Sequence, residues 1–363
     1  LFCRICSAFN AGIPFQTYKT KTLRCFKAFV MRILIVGADS KYAIERPYLK
    51  YLSQHPSVSA IELFAAQQFF LGWYQKSIFN KILYRGGLSR ILHTINEDLL
   101  RKVASFKPDV LFVFKGMEIF PSTLKTIKDK GIKLANYNPD NPFIFSGRGS
   151  GNENVTKSIP LFDLFMSYDR GICREMENRF NIPSRLLPFG FDISDVLYET
   201  CKKESEIVKL CFIGNTDTFR LEFLNNLAAA GIEIDLYGMN WKEKSLHHNI
   251  QFKGAVFEEA LWKKLRAYRV QLNLMRIHNP DSHNMRSFEI AGIGGIQLAP
   301  ATEDHRIYFT DGKDIFLYTD QASCIAQIKK LLAMPVEAAN LVREAVRARS
   351  IGDGYTYKDR ANT

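Results

Sequence analysis

Long apolar runs are missing from this 363-residue chain: none approaches the roughly 20 residues a helix needs to cross a bilayer. The longest candidates, such as "DVLFVF" and "GGIQLA", have the length of buried strands, so a soluble protein is expected. Cysteine is sparse and scattered. Three of the seven cysteines fall in the first thirty residues, and Cys173, Cys201, Cys211 and Cys324 lie far apart, which is cytosolic usage rather than a disulfide framework. "CRIC" at Cys3–Cys6 has no second pair, and His278 and His283 are five apart, off one helix face, so no metal site is expected. No RNP-like aromatic motif and no zinc-finger spacing are present, which argues against sequence-specific nucleic-acid binding. Neither GxGxxG nor DxD follows a candidate strand, which argues against a dinucleotide oxidoreductase and against bound Mg²⁺.

What the chain does have is basic charge and regular alternation. Hydrophobic residues at 47% against 24% charged ones mark a folded chain, long enough for two domains. Arg4, Lys19, Lys21, Arg24 and Lys27 supply five of the +12 net charges, with no acid among the first thirty residues. Leu1 rather than Met begins that leader and Met31 opens the first strand, so residues 1–30 read as an upstream extension; a mitochondrial-type presequence is the second reading. The basic residues that remain are dispersed, which suits a phosphorylated ligand or loose attraction to a membrane surface.

Short β-branched runs alternate with amphipathic stretches throughout, the signature of an α/β fold. Strands are expected at 32–37, 60–65, 109–114, 133–138, 164–169 and 184–190, then at 209–214, 232–238, 250–254, 270–275, 295–300 and 314–319. The polar stretch "CKKESEIVK" (201–209) separates the two series as a linker. Two doubly wound Rossmann-like domains follow, 31–200 and 201–340, with 341–363 as a C-terminal helical segment. In such sheets ligands bind beyond the carboxyl ends of the strands.

Two stretches there carry chemistry. "FIGNTDTFR" (212–220) is a strand, a turn at Gly214 and Asn215, and an arginine, Arg220, opening a helix: an anion site, or a plain turn capped by Asp217 or Thr218. "NPDSHNMRSFEIAGIGGIQLAP" (279–300) sets Asp281, Arg286 and Glu289 before a glycine-rich run. On one continuous helix the two acids would sit about 80° apart, roughly 12 Å along the axis, too far for a paired acid and base. A loop ending at Ser287, capping a helix from Phe288, is the better geometry. Glu289 then either lies where the helix dipole favours its charge or accepts hydrogen bonds from a ribose, with Arg286 facing phosphate.

The spacing D-x7-E followed by "IAGIGGIQLAP" resembles the E-x7-E element of GT-B glycosyltransferases. "RSFEIAGIGGIQLA", "FTDGKDIFLYTD" (309–320) and "YTYKDRA" (355–361) resemble the spore maturation protein B-like (CgeB-like) group more closely, with Asp314 in place of its usual Glu, while Asp281 stands where E-x7-E has its first Glu. "FIGNTDTFR", "NYNPDNP" (136–142) and "LPFGFD" (187–192) stand in that group's order. The resemblance implies a GT-B fold with two domains facing across a cleft, and a cytoplasmic hexosyltransferase of cell-surface glycan synthesis, with peripheral association at the inner membrane face. It implies a nucleotide-sugar donor in the C-terminal domain: Glu289 on the ribose, Arg286 and Arg220 on the diphosphate, Asp281, Ser282, His283 and Asn284 at the sugar. Gly214, Asn215, Tyr237, Gly238 and Ser287 complete that side. Gly37, Asp39, Asn138, Asp140 and Asn141 would line the acceptor side, the acceptor being a glycan, protein or lipid-linked sugar.

Glycosyl transfer loads negative charge on the departing diphosphate, where Arg220 and Arg286 would act without metal or cofactor. An inverting reaction needs a base, for which Asp140 is the candidate; an Asx turn between its flanking prolines is the competing reading. Two other classes stay open: a non-catalytic sugar- or nucleotide-binding protein, and a nucleotide-sugar epimerase of similar fold.

Overall fold

The computed structural model describes residues 30–144, 151–242, 244–276 and 281–363. The basic leader with Cys3 and Cys6, and His278, lie outside these residues. The chain divides into two compact units: residues up to Pro188 together with Tyr357–Thr363, and Phe189–Thr356. Each is built on a six-stranded sheet in which all pairings are parallel.

The first unit runs β1 (Met31–Val36), α1 (Glu45–Leu52), β2 (Val58–Phe64), α2 (Ala66–Lys76), α3 (Ile78–Arg85), α4 (Ile91–Phe106), β3 (Val110–Phe114), α5 (Pro121–Lys128), β4 (Lys133–Asn138), α6 (Glu153–Ser158), β5 (Leu164–Ser167), α7 (Arg170–Phe180) and β6 (Ser184–Leu186). The strand order is β2-β1-β3-β4-β5-β6. Parallel strands covered on both faces read as unbroken apolar runs, and every residue of β3 is buried. Helix α4 covers one face because Ile91, Ile95, Leu99, Val103 and Phe106 recur at helical spacing, and it ends where Lys107 turns left-handed.

The second unit runs α8 (Asp195–Lys202), β7 (Ile207–Ile213), α9 (Thr218–Ala229), β8 (Ile234–Tyr237), β9 (Ile250–Phe252), α10 (Glu258–Ala267), β10 (Tyr268–Leu272), α11 (Met285–Gly292), β11 (Gln297–Pro300), α12 (Glu303–Tyr308), β12 (Phe316–Tyr318), α13 (Gln321–Leu332) and α14 (Val336–Gly352). Its order, β12-β11-β10-β7-β8-β9, reverses between β7 and β10. The last helix, α15 (Tyr357–Asn362), belongs to the first unit, where Tyr357 and Ala361 join the core around Tyr48.

Two boundaries differ from expectation. The division falls at Pro188/Phe189 rather than 200/201, because Leu197, Tyr198 and Cys201 of α8 pack with Leu261 and Leu265 of α10. Residues 341–363 are not one segment either, since α14 stays with the second unit and α15 with the first. At the amino ends of β7 and β10, Glu206 receives a two-pronged contact from Arg269 (2.7 and 2.5 Å) and a third bond from Arg343 of α14 (2.6 Å). Both arginines are almost fully buried. The four described cysteines are buried free thiols, and burial pushes Cys173 and Cys201 up to about 11.

Candidate functional site

The loop after β7 and the loop after β10 flank the reversal of strand order in the second unit, the place where open parallel sheets bind ligands. Arg220 joins them. Asp217 caps α9 by accepting from the Arg220 amide (2.9 Å), and the Arg220 guanidinium donates to Asn215 O (3.0 Å) and to Leu274 O (2.8 Å). Burial holds its pKa below the ordinary arginine value, and the like charges of Arg276 and Arg286 act in the same direction, against Asp217. Three arginines therefore gather at this edge. Arg276 is exposed and has no ion-pair partner among the described residues.

The backbone around Arg220 is closely fitted. Gly214 O accepts from Trp241 Nε1 (2.7 Å), and the Gly214 amide donates to Tyr237 O (2.9 Å). Gly238 has φ +145°, and a Cβ there would lie 2.0 Å from Gly214 O. Gly238→Ala is therefore expected to destabilise the second unit by on the order of 3 kcal/mol, combining backbone strain with overpacking. Urea unfolding followed by Trp241 fluorescence reads both the lower midpoint and the disturbed indole.

Helix α11 starts beyond β10. Asn284, not Ser287, is its N-cap: the Asn284 side chain accepts from the Ser287 amide (3.0 Å), and the Ser287 hydroxyl accepts from the Asn284 amide (3.2 Å). Ser287 is the third residue of the helix, buried, receiving a bond from Asn273 Nδ2 (3.1 Å) and donating to His305 Nε2 (2.8 Å). His305 donates from Nδ1 to Pro300 O (2.8 Å), and burial lowers its pKa to about 4, so it is neutral. Asn284 Nδ2 donates to Asn273 Oδ1 (2.8 Å). This network fixes the direction of α11. The amides without an intrahelical acceptor are those of Met285 and Arg286. On the first turn Arg286 NH1 and Glu289 Oε2 pair at 2.6 Å, both partly exposed.

Several expected sugar contacts are internal instead. His283 is fully buried; its Nε2 accepts from the Phe189 amide (3.3 Å), which places the proton on Nδ1, 2.7 Å from Asp304. Ser282 donates to the same carboxylate (3.0 Å). The Tyr237 hydroxyl is tied to Tyr268 (2.9 Å), which donates to Asp235 (2.6 Å), so this ring faces the core. Ser282, His283, Asn284, Ser287 and Tyr237 are thus spent on holding the loops. Arg286, Glu289, the exposed Asp281 and the backbone at Gly214, Asn215 and Gly238 remain at the edge. Arg276, Asn273, Asp304 and His305 also build this edge, and of these only Arg276, directly after the apolar run "VQLNLM", carries a local signal in the sequence.

In the first unit the strand order reverses beside β1, between β1 and β3. Gly37 follows β1 with no room for a side chain: a Cβ would sit 2.4 Å from Glu45 Oε1. Asp39 pairs with Arg46 (2.7 Å). Asn138, buried, accepts from the Asp140 amide (3.0 Å), and Asn141 accepts from the Phe143 amide (3.0 Å), so Asx turns form in "NPDNP" through the two asparagines and not through the Asp140 side chain. The Asp140 carboxylate lies 2.5 Å from Lys115, which has φ 57° after β3. Two acids not singled out in the sequence face the same lysine: burial raises the carboxyl groups of Glu45 and Glu118 above their ordinary values, and Lys115 opposes both shifts. Among the described residues no three His, Cys, Asp or Glu side chains are grouped to hold a metal ion.

Residues 220–363 match the family model described as glycosyl transferase-like. That match covers α9 from Arg220 on, the Arg286–Glu289 turn and the closing helices. No curated protein matches the sequence. Solved structures share the fold at low identity. A sucrose-phosphate synthase from Thermosynechococcus elongatus is 12% identical, with 91% of this chain and 96% of that one covered at a TM-score of 0.64. HepE from Anabaena, in complex with UDP, is 12% identical over 92% and 98%, at 0.58. A UDP-GlcNAc 2-epimerase from Neisseria meningitidis, bound to UDP-GlcNAc, is 13% identical over 89% and 98%, at 0.53. The architecture is that of GT-B proteins: two Rossmann-like units, each on a parallel sheet.

Proposed function

We propose that the protein is a glycosyltransferase of the spore maturation protein B-like group, moving a sugar from a nucleotide-sugar donor to a hydroxyl acceptor. The observation that carries this is the Arg286–Glu289 turn of α11 beside the Arg220 clamp, within the region that is glycosyl transferase-like. Among the described residues only Oε2 of Glu289 is engaged, so Oε1 is left to accept a ribose hydroxyl. Arg286, Arg276 and the amides of Met285 and Arg286 would receive the diphosphate; Arg220 positions them by holding both loops. Asp281 would face the sugar.

In the reaction the anomeric carbon–oxygen bond to the diphosphate breaks, and a bond to the acceptor oxygen forms. Negative charge collects on the leaving diphosphate, where the guanidinium groups and helix amides lower the barrier; no metal is required in this scheme. The acceptor is assigned to the first unit. If configuration inverts, the acceptor proton passes to a carboxylate of the Asp140, Glu45 and Glu118 set. Burial raises the carboxyl groups of Glu45 and Glu118 above their ordinary values, which makes either a stronger base for that task.

A thermal-shift panel of UDP-, GDP-, ADP- and CDP-sugars tests the donor site. At one hundred times the dissociation constant, the cognate donor should stabilise the protein by about 2.7 kcal/mol. UDP-sugars come first, because HepE and the Neisseria epimerase were solved with uridine nucleotides. Glu289→Ala should remove the shift while leaving the unliganded melting temperature in place. A shift that survives in the variant, or no shift with any donor, overturns the assignment. Donor bound but interconverted without transfer would identify an epimerase instead.

A further inference from the structure

Helix α3 is amphipathic in the wrong sense for a helix of a closed domain. Its inner side is Asn80, which donates to Trp73 O (2.6 Å), and Tyr84, whose ring packs against Phe70 and Tyr74 of α2. Its outer side is Ile78, Phe79, Ile82 and Leu83, at 63%, 73%, 60% and 40% exposure. No residue of this helix is buried. Leu88 just beyond it and Phe69 on α2 extend the apolar surface. A contiguous patch of large apolar side chains is uncommon on a closed soluble domain and marks an interaction surface.

Charge identifies the partner. From Ala66 to Asn96 the chain carries Lys76, Lys81, Arg85 and Arg90 and not one acid. Lys76, Arg85 and Arg90 are exposed; Lys76 ends α2 and Arg85 ends α3, so they bracket the apolar residues along the chain. Apolar residues bracketed by cations on a short surface helix suit a layer that is apolar within and negatively charged at its face. A protein partner would have to match four cations with acids and five or six large side chains with pockets; an anionic bilayer meets both demands without any specific fit. We propose that the α2–α3 hairpin docks the protein on an anionic phospholipid membrane, with Phe79 and Ile82 entering the interface.

The position of the hairpin gives the docking a use. Gln67 at the start of α2 donates from its amide to Gly37 O (3.2 Å), and Gln68 Oε1 accepts from the Asp39 amide (2.5 Å). The hairpin therefore grows from the same rim of the first unit that holds Gly37 and Asp39. A bilayer held there would present a lipid-anchored hydroxyl acceptor to that rim. This last step rests on the transferase reading; the docking itself does not.

Sedimentation of the full chain with phosphatidylglycerol–phosphatidylcholine vesicles and with pure phosphatidylcholine vesicles, without nucleotide, tests the docking. Wild type is expected to partition into the anionic vesicles at least about tenfold more strongly, an advantage lost at high salt. Phe79→Glu with Ile82→Glu should weaken that partitioning about tenfold or more, and Lys76→Glu with Arg85→Glu should do so on anionic vesicles alone. All four positions are exposed, so the melting temperature and any donor-induced shift should be unchanged in both variants. No binding by wild type, or equal binding by the Phe79/Ile82 variant, overturns the proposal. A dimer of wild type that this variant dissociates, without vesicle binding, overturns it in favour of a second copy of the chain. A failed donor panel leaves the vesicle result standing, and failed vesicle binding leaves the donor site standing.

Discussion

Arg286→Ala is expected to slow turnover of the cognate nucleotide sugar by about a hundred- to a thousandfold, the usual cost of removing one preorganised partner of a developing charge. The protein should remain folded. Arg286 and Glu289 are both partly exposed, so loss of their ion pair costs no more than about 1 kcal/mol. Kinetics separate two roles. If Arg286 acts on the charge that grows as the diphosphate leaves, kcat and kcat/KM fall together; if it only anchors the ground state, KM rises alone. Arg286→Lys restores a charge but not the planar fork, so it should recover part of the loss. Release of nucleoside diphosphate from the donor is the readout. Activity within threefold of wild type would remove Arg286 from the leaving-group site.

Glu206→Ala should destabilise the second unit by about 3–5 kcal/mol, because it leaves the guanidinium groups of Arg269 and Arg343 buried without their shared counter-ion. The same group sets an acid limb. Hydrogen bonds from Arg269, then Arg343, hold the Glu206 carboxyl down to about 2 from an ordinary 4.5, although partial burial works the other way. A depressed pKa means the unfolded state takes up the proton first. The stability Glu206 contributes is therefore complete above about 4.5 and is lost as pH falls towards 2. Denaturant melts of wild type across that window should fall more steeply than those of the variant. Parallel slopes would show that other carboxylates govern acid unfolding.

The strands of both sheets were legible in the sequence because parallel strands buried on two faces leave plain apolar runs. Their order was not, since it is decided by which runs pair across the sheet rather than by any run alone. The division between units was misplaced for a similar reason: "CKKESEIVK" is polar, but the helix before it packs forward onto α10. At the site the local signals put Glu289 near the start of a helix but left Arg286 in the loop before it, whereas both lie on α11, three residues apart. They were misleading about who caps it. Asn and Ser are near-equal caps, and what favours Asn284 is Asn273 on one side and His305 beyond the next strand. The family resemblance set His283 at the sugar; Asp304, a long way downstream, makes it an interior residue. Long-range partners of this kind leave no periodicity to read. The outward apolar side of α3 was visible as composition, but only its contacts with α2 reveal that this side faces away from the core.

The placement of α15 bears on how the chain is made. The second unit is a continuous stretch and can finish its core as soon as Thr356 has left the ribosome. The first unit cannot, although it is synthesised first. Tyr357 and Ala361 complete the cluster around Tyr48, Phe112 and Tyr137, so that core must wait, incomplete, while the whole of the second unit is translated. The order of synthesis and the order of completion are opposite, and the half made first is sealed by a helix made after the other half.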